Sequence, residues 1–331
     1  MKTVLVPGDG IGKEISESVL SIDKALNTDI EWVVFEAGAE YHQKSGKLME
    51  DGLLEAIGQC HTALKGPTAT PIGTGFRSIN VQLRQAFSTY ANLRPVHSLS
   101  GVPSRYEDVD LVIVRENTED LYKGIEYMYD STTAHGIKLI TQQASERIAR
   151  FAFEYAIAQG RKKVTAVHKA NIMKMTDGLF LSTFRKVAEE YPQIESDDVI
   201  IDALCMKLVT DPTRFDVLVA PNLYGDIISD LCAGLVGGLG FAPSANIGED
   251  VTIYEAVHGS APDIAGQDKA NPTSLLLSYA MLLKDHGMKD KAEKLEKAIY
   301  ETIQEGIHTT CDIGGTAGTK EFTQAVKEKL L

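Results

Sequence analysis

The chain has 331 residues, enough for two domains or one large one, and 44% of them are hydrophobic, which supports a sizeable core. A formal net charge of −13 argues against a general affinity for nucleic acid or an anionic membrane surface, so an anionic small molecule would need its own cluster of Arg and Lys. Cys60, Cys205, Cys232 and Cys311 fall in no metal-ligand or redox spacing and are expected as reduced thiols. The sequence opens directly into a β-branched run without a leader pattern, and no apolar run reaches the length of a membrane span. These features lead to the expectation of a soluble, cytoplasmic protein.

Lys2 to Val6 reads as a strand, Pro7-Gly-Asp-Gly-Ile-Gly12 as a tight turn, and Ile15, Val19, Ile22 and Leu26 as the apolar face of a helix. The turn lacks the spacing of a dinucleotide fingerprint, and chain reversal alone accounts for its glycines. Glu31 to Glu36 reads as a second strand, residues 50–58 as a short helix and Thr62 to Leu64 as a third apolar run. A polar stretch follows with Thr70, Ser78, Asn80 and Arg84, then Arg94 and, after the apolar strand Val109 to Val114, Arg115. Ser78, Asn80 and Arg84 lie near one helix N-terminus, a natural place for an anion. Any one of these arginines is more simply a surface ion pair. Three of them in an acidic protein point to carboxylate recognition, since guanidinium forks bind carboxylates bidentately.

Residues 115–126 are polar with Tyr122 embedded, and the alternation at Ile125, Tyr127, Tyr129 and again at Ile137, Leu139 predicts a hairpin. An isolated hairpin is marginal in water, and pairing with its copy on a second subunit would resolve that. Residues 144–158 form an amphipathic helix, and the strand Val164 to Val167 delivers Lys169 and Asn171. Lys169 there is either an acid–base group or a salt-bridged lysine. Val199 to Asp202 repeats the pattern with an Asp at a strand end.

Phe215 to Ala220 leads into Asn222-Leu-Tyr-Gly-Asp-Ile-Ile-Ser-Asp230, where Asp226 and Asp230 share one helix face one turn apart. Two hard carboxylates so placed can share a divalent cation; the alternative is a solvated acidic first turn favoured by the helix dipole. Residues 255–266, with Glu255, His258, Gly259, Asp263 and Ile264, form a loop rich in small residues, suited to close backbone approach to a ligand. Asn271-Pro follows, and helices at 273–283, 290–304 and 320–330 close the chain.

Taken together, the motifs PGDGIG, RENTED with Tyr122, VHKANIMK, NLYGDIISD, GGLGFAPSANIG and HGSAPDIAGQDKANP resemble those of the β-decarboxylating dehydrogenases, the family of isocitrate, isopropylmalate, homoisocitrate and tartrate dehydrogenases. The resemblance covers essentially the whole chain. It implies an α/β, isopropylmalate dehydrogenase-like two-domain fold that is not a Rossmann fold, with the active site in the interdomain cleft. A large domain of residues 1–96 plus 237–331 would carry the cofactor side, and a small domain of 97–236 the dimer interface, with an arm at about 123–140.

The resemblance also implies roles. Ser78 and Asn80, in place of the aliphatic residue of isopropylmalate enzymes, suit the γ-carboxylate of isocitrate, while Arg84, Arg94 and Arg115 clamp carboxylates. Asp226 and Asp230, with Asp202 of a second subunit, would hold Mg2+ or Mn2+; Lys169, also from the second subunit, would help remove the hydroxyl proton, and Tyr122 would protonate the enol at C3. Thr70, Asn171 and Glu255 would lie near the nicotinamide end of the cofactor, and His258, Gly259, Asp263, Ile264 and Asn271 near the adenosine end. Asp263-Ile264, where NADP-dependent members have Lys and Tyr, implies NAD, since a carboxylate accepts from ribose hydroxyls and repels a 2′-phosphate. The expected activity is NAD-dependent oxidative decarboxylation of isocitrate by a homodimer or dimer of dimers. The alternatives are homoisocitrate or 3-isopropylmalate as substrate, or a regulatory subunit.

Overall fold

The computed structural model describes residues 1–69 and 78–330. The chain divides into two compact units: Met1–Phe87, Ser98–Glu107 and Val236–Leu331 form the first, Ser88–His97 and Asp108–Leu235 the second. The first unit begins with β1 (Lys2–Val6), α1 (Gly12–Leu26), β2 (Glu31–Val34), α2 (Ala39–Ser45), α3 (Leu53–Cys60), β3 (Thr62–Lys65) and α4 (Ile79–Ala86). The second holds β4 (Ala91–His97), β5 (Asp110–Glu116), β6 (Glu126–Met128), β7 (Ala134–Gly136), α5 (Gln142–Ala158), β8 (Lys163–His168), α6 (Thr176–Ala188), β9 (Glu195–Ile200), α7 (Ile201–Thr210), β10 (Val217–Ala220) and α8 (Asn222–Leu235). The chain then returns to the first unit for β11 (Pro243–Ile247), β12 (Thr252–Ala256), α9 (Thr273–Asp285), α10 (Lys289–Glu305) and α11 (Thr319–Glu328).

In the first unit the strands lie in the order β2-β1-β3-β12-β11, parallel except for the antiparallel β11–β12 pair. Alternation along β1 sends Leu5 to a core shared with Leu64 and with residues of α1, α9, α10 and α11. Val4 and Val6 go to a second core with Ala63, Ile253 and Leu53 and Ile57 of α3. Both faces of the strands are therefore covered, which is why they read as continuous apolar runs. The turn after β1 serves as a packing seam. Its Asp9 carboxylate accepts from the backbone of Ala39, Glu40 and Ala69, and Ile11 N–H donates to the Ser260 carbonyl at 2.9 Å. A Cβ on Gly10, at φ +58°, would stand 2.0 Å from that carbonyl oxygen, so only glycine lets the turn hold the 258–260 loop this closely.

The second unit has the strand order β4-β5-β10-β8-β9, with β4 antiparallel to β5 and the other pairs parallel. The β4–β5 ladder runs from Ala91↔Glu116 to His97↔Asp110, which draws residues 88–97 into this unit, whereas the expected division left all but the last of them in the large domain. Residues 98–107, expected in the small domain, belong to the first unit.

The expected hairpin forms, with its second strand starting earlier than the alternation suggests. That strand is Ala134–Gly136, with Tyr127 opposite His135, and Ile137 N–H continues the pairing by donating to the Ile125 carbonyl at 2.9 Å. The His135 ring stacks on Tyr129, and Asp130 caps the turn by accepting from the Thr132 N–H, which favours the shorter turn. Asp202 is the second residue of helix α7 and follows the end of β9, so it lies in a helical first turn and not on a strand.

Candidate active site

In the second unit, β4 and β5 each carry one arginine toward α8. Arg115, 1% exposed, donates through Nε and Nη2 to Asn222 Oδ1 at 3.0 and 2.8 Å and through Nη1 to Asp226. Arg94, also buried, donates to Asn92 Oδ1 at 2.9 Å, Ser229 Oγ at 2.7 Å and Asp230 Oδ1 at 3.0 Å. Tyr122 donates its phenol to the other oxygen of Asp226, and the Arg115 guanidinium stands 5.0 Å from its ring centre. Burial, then the hydrogen bond to Asp226, raises the pKa of the Tyr122 phenol above its ordinary range. It is a protonated donor at neutral pH, as a general acid must be.

Asp226 and Asp230 are partly and largely exposed, one turn apart, each balanced by an arginine. Gly225 makes this arrangement possible, because a Cβ there would meet Arg115 Cγ at 2.5 Å and Cβ at 2.7 Å. We expect Gly225→Ala to displace the Arg115 fork and lower kcat/KM for the acidic substrate by about 10²-fold with the fold retained, as steady-state kinetics beside circular dichroism would read.

Lys169, just past β8, pairs through Nζ with Asp202, and that hydrogen bond holds the Asp202 carboxyl below its usual range. Asn171 lies exposed two residues on. Among the described residues, no three or more His, Cys, Asp or Glu side chains gather where one ion could sit, so Asp202 does not join Asp226 and Asp230 within this chain.

In the first unit, Ser78 is the N-cap of α4 yet makes no side-chain capping bond, and Asn80 Oδ1 accepts from Thr68 at 3.3 Å. Arg84, on the last turn, faces Glu255 at 3.5 Å and keeps a buried Nε donor without a partner among the described residues. The sequence reading missed Lys65. It is buried opposite Glu255 in the β3–β12 register, with Nζ 3.1 Å from that carboxylate. Burial acts to raise the Glu255 carboxyl, but the charges of Lys65 and Arg84 and the Asn246 amide outweigh it and hold the pKa at about 2. Only the pairing of two strands distant in sequence reveals this, so no local signal could have found it.

The loop after β12 carries the remaining expected cofactor residues. Gly259 and Asp263 are exposed, and Ile264 packs on the core with α1 and α9. His258 turns Nδ1 toward its neighbour's carbonyl at 3.3 Å, leaving a buried Nε2 without a partner among the described residues, and burial lowers its pKa. The Asn271 amide is already engaged, donating to Asp312 at 2.9 Å and accepting from Thr273 N–H at 3.0 Å. Thr70 lies outside the described residues.

Residues 2–326 match the isocitrate/isopropylmalate dehydrogenase family. The chain belongs to this family. A crystal structure of isocitrate dehydrogenase from Methylococcus capsulatus is similar with a TM-score of 0.96 and 47% identity, covering 99% of both chains. Over 327 residues, this family member is 53% identical to the mitochondrial isocitrate dehydrogenase [NAD] catalytic subunit 5 of Arabidopsis thaliana, covering 98% of the chain and 87% of the relative. It is also 52% identical over 307 residues to a chloroplastic 3-isopropylmalate dehydrogenase of Solanum tuberosum, covering 92% and 86%. Overall identity of this order spans two substrates, so the choice between them falls to individual residues.

The cofactors of this chain are NAD and a divalent cation, Mg2+ or Mn2+. The donor set fits a hard cation: Asp226 and Asp230 offer carboxylate oxygens one turn apart on one accessible helix. The expectation of a cytoplasmic protein is overturned, since the Arabidopsis relative is a mitochondrial protein. That expectation rested on how the sequence begins, and an address segment leaves no imprint on the folded body.

Proposed function

We propose that the chain is an NAD-dependent isocitrate dehydrogenase, oxidising isocitrate at C2 and releasing the β-carboxylate as CO2 to give 2-oxoglutarate and NADH. The observation that supports isocitrate over its relatives is the start of α4, where Ser78, whose side chain makes no capping bond, and Asn80 precede Arg84, whose buried Nε has no partner among the described residues. An aliphatic substrate arm would leave a buried donor such as Arg84 Nε unsatisfied, at a cost of about 1–3 kcal/mol. The potato relative favours 3-isopropylmalate as the second reading. Steady-state turnover of isocitrate, homoisocitrate and 3-isopropylmalate with NAD and NADP separates them, and preference for either of the last two substrates would overturn the assignment.

In this reading Arg84, Arg94 and Arg115 bind substrate carboxylates and fix the C2 hydroxyl toward Lys169 of the partner subunit, which takes its proton; NAD, when bound, would supply the hydride acceptor. Asp226 and Asp230, with Asp202 of the partner subunit, would hold the divalent cation, which would supply Lewis-acid stabilisation of the oxygen at C2. Tyr122 delivers the proton to C3. A second subunit is supported by apolar groups left open on the second unit, among them Tyr129 at 70% and Met175 at 87% exposure. A second copy of this chain makes a homodimer or dimer of dimers.

NAD is assigned through Asp263 and Ile264. We expect Asp263→Lys with Ile264→Tyr to shift the ratio of kcat/KM from NAD toward NADP by roughly 10²-fold, because the exposed carboxylate no longer faces a 2′-phosphate. Comparable use of both cofactors by the unaltered protein would refute the loop's role.

A further inference from the structure

Lys138 stands two residues past β7, and its side chain is only 9% exposed. Its Nζ lies 2.5 Å from Asp177 Oδ1, 3.9 Å from Asp120 Oδ1 and 4.2 Å from the centre of the Tyr224 ring, and both carboxylates are fully buried. The pairing is ionic, without the angle of an aligned hydrogen bond. Each carboxylate also holds backbone. The second oxygen of Asp177 accepts from Lys169 N–H at 2.7 Å, and that of Asp120 accepts from Leu223 N–H at the start of α8, at 3.0 Å.

Asp120 opens the short turn that carries Tyr122. It sits at φ +70°, a conformation that side chains other than glycine rarely adopt, and its own N–H donates to the Leu139 carbonyl at 2.8 Å. One ammonium thus balances two buried charges that fix the backbone at the Tyr122 turn, at Lys169 and at the first turn of α8. Two buried carboxylates left without that ammonium would lose the charge that balances them, and the anchors they provide would shift.

We propose that Lys138, acting through Asp120 and Asp177, is a positioning residue for the reaction, setting the turn of the acid Tyr122 and the strand end of the base Lys169 together without touching substrate. The inference rests on the isocitrate dehydrogenase reading for the roles of those two groups. A merely stabilising ion pair predicts a lower melting temperature with unchanged chemistry in the folded enzyme. A positioning role predicts loss in both chemical steps while cofactor binding is spared.

The test compares Lys138→Met, Lys138→Arg and Asp177→Asn with the unaltered chain, each checked for folding by circular dichroism and assayed below its melting temperature. Asp177→Asn keeps an oxygen for the Lys169 N–H and removes only the charge. Lys138→Met is expected to lower kcat by about 10²-fold with KM for NAD nearly unchanged. Hydride transfer and the processing of an added β-keto acid should slow together, and Lys138→Arg should recover a large part of the loss. Should Lys138→Met fail to fold, Asp177→Asn is judged by the same split. Folded variants that keep kcat within roughly threefold of the unaltered enzyme overturn the inference. An unaltered chain inert toward isocitrate with NAD sinks the functional reading and this inference with it, so the two failures are distinguishable.

Discussion

Tyr122→Phe and Lys169→Met are each expected to lower turnover of isocitrate by about 10²- to 10⁴-fold, the range in which a positioned proton donor or acceptor contributes, and to do so at different steps. The Tyr122 phenol is raised in pKa and bonded to Asp226, so it is a proton held beside the carboxylates of α8, and its loss should impair use of an added β-keto acid intermediate. Lys169 pairs through Nζ with Asp202 and in the proposed reading takes the hydroxyl proton, so its loss should impair hydride transfer from isocitrate. Both variants should fold. Phe keeps the ring beside Arg115, and Asp226 keeps its arginine partner. Equal, small effects on both partial reactions would refute this separation of roles.

Part of the geometry of the candidate site was legible in the sequence because its residues come in short runs whose spacing is itself the geometry. Asp226 and Asp230 are neighbours on one helix face by the helical repeat alone, and Gly225 lies beside them in the same motif. The α1 stripe of Ile15, Val19, Ile22 and Leu26 is buried as its period requires. Strand pairing was not legible. Glu255 looks like a loop-edge acid until β3 and β12 pair and place Lys65 opposite it. The strand β4 was hidden because Arg94 and Pro95 interrupt its apolar run, and proline inside a run argues against a strand. Lys138 carried no signal either, since a lone lysine after a hairpin reads as solvated until Asp120 and Asp177 are brought to it from either side in sequence.

The hairpin shows the same limit at finer scale. Alternation identified it, but Ile125, Tyr127 and Tyr129 pair with whichever partner the turn chemistry selects, and a shift of register changes which side chains the arm presents. Tyr127, Met128 and Tyr129 are all exposed. An arm of three paired residues a side has too little buried surface to persist alone. Its apolar tip therefore supports a reading in which another subunit completes it.

The last expectation follows from that reading. Asp226 and Asp230 supply two carboxylates and, among the described residues, no third His, Cys, Asp or Glu gathers with them, whereas Asp202 and Lys169 form their own pair. If each pair serves a site completed by the other subunit, a Lys169→Met chain and an Asp230→Asn chain are each inactive as homodimers for different reasons. In a heterodimer, one site combines the intact Asp226 and Asp230 of the first chain with the intact Lys169 and Asp202 of the second, and the other site carries both defects. Subunit exchange between the two inactive proteins should therefore restore activity, to about half of the wild-type specific activity per heterodimer and roughly a quarter in a fully exchanged equimolar mixture. The rise should track heterodimer formation followed by differential tagging, and it should be absent when two Lys169→Met preparations are mixed. Heterodimers that form and stay inactive would mean that each site is built within a single chain. Asp202 would then have to reach Asp226 and Asp230 through a rearrangement inside the second unit.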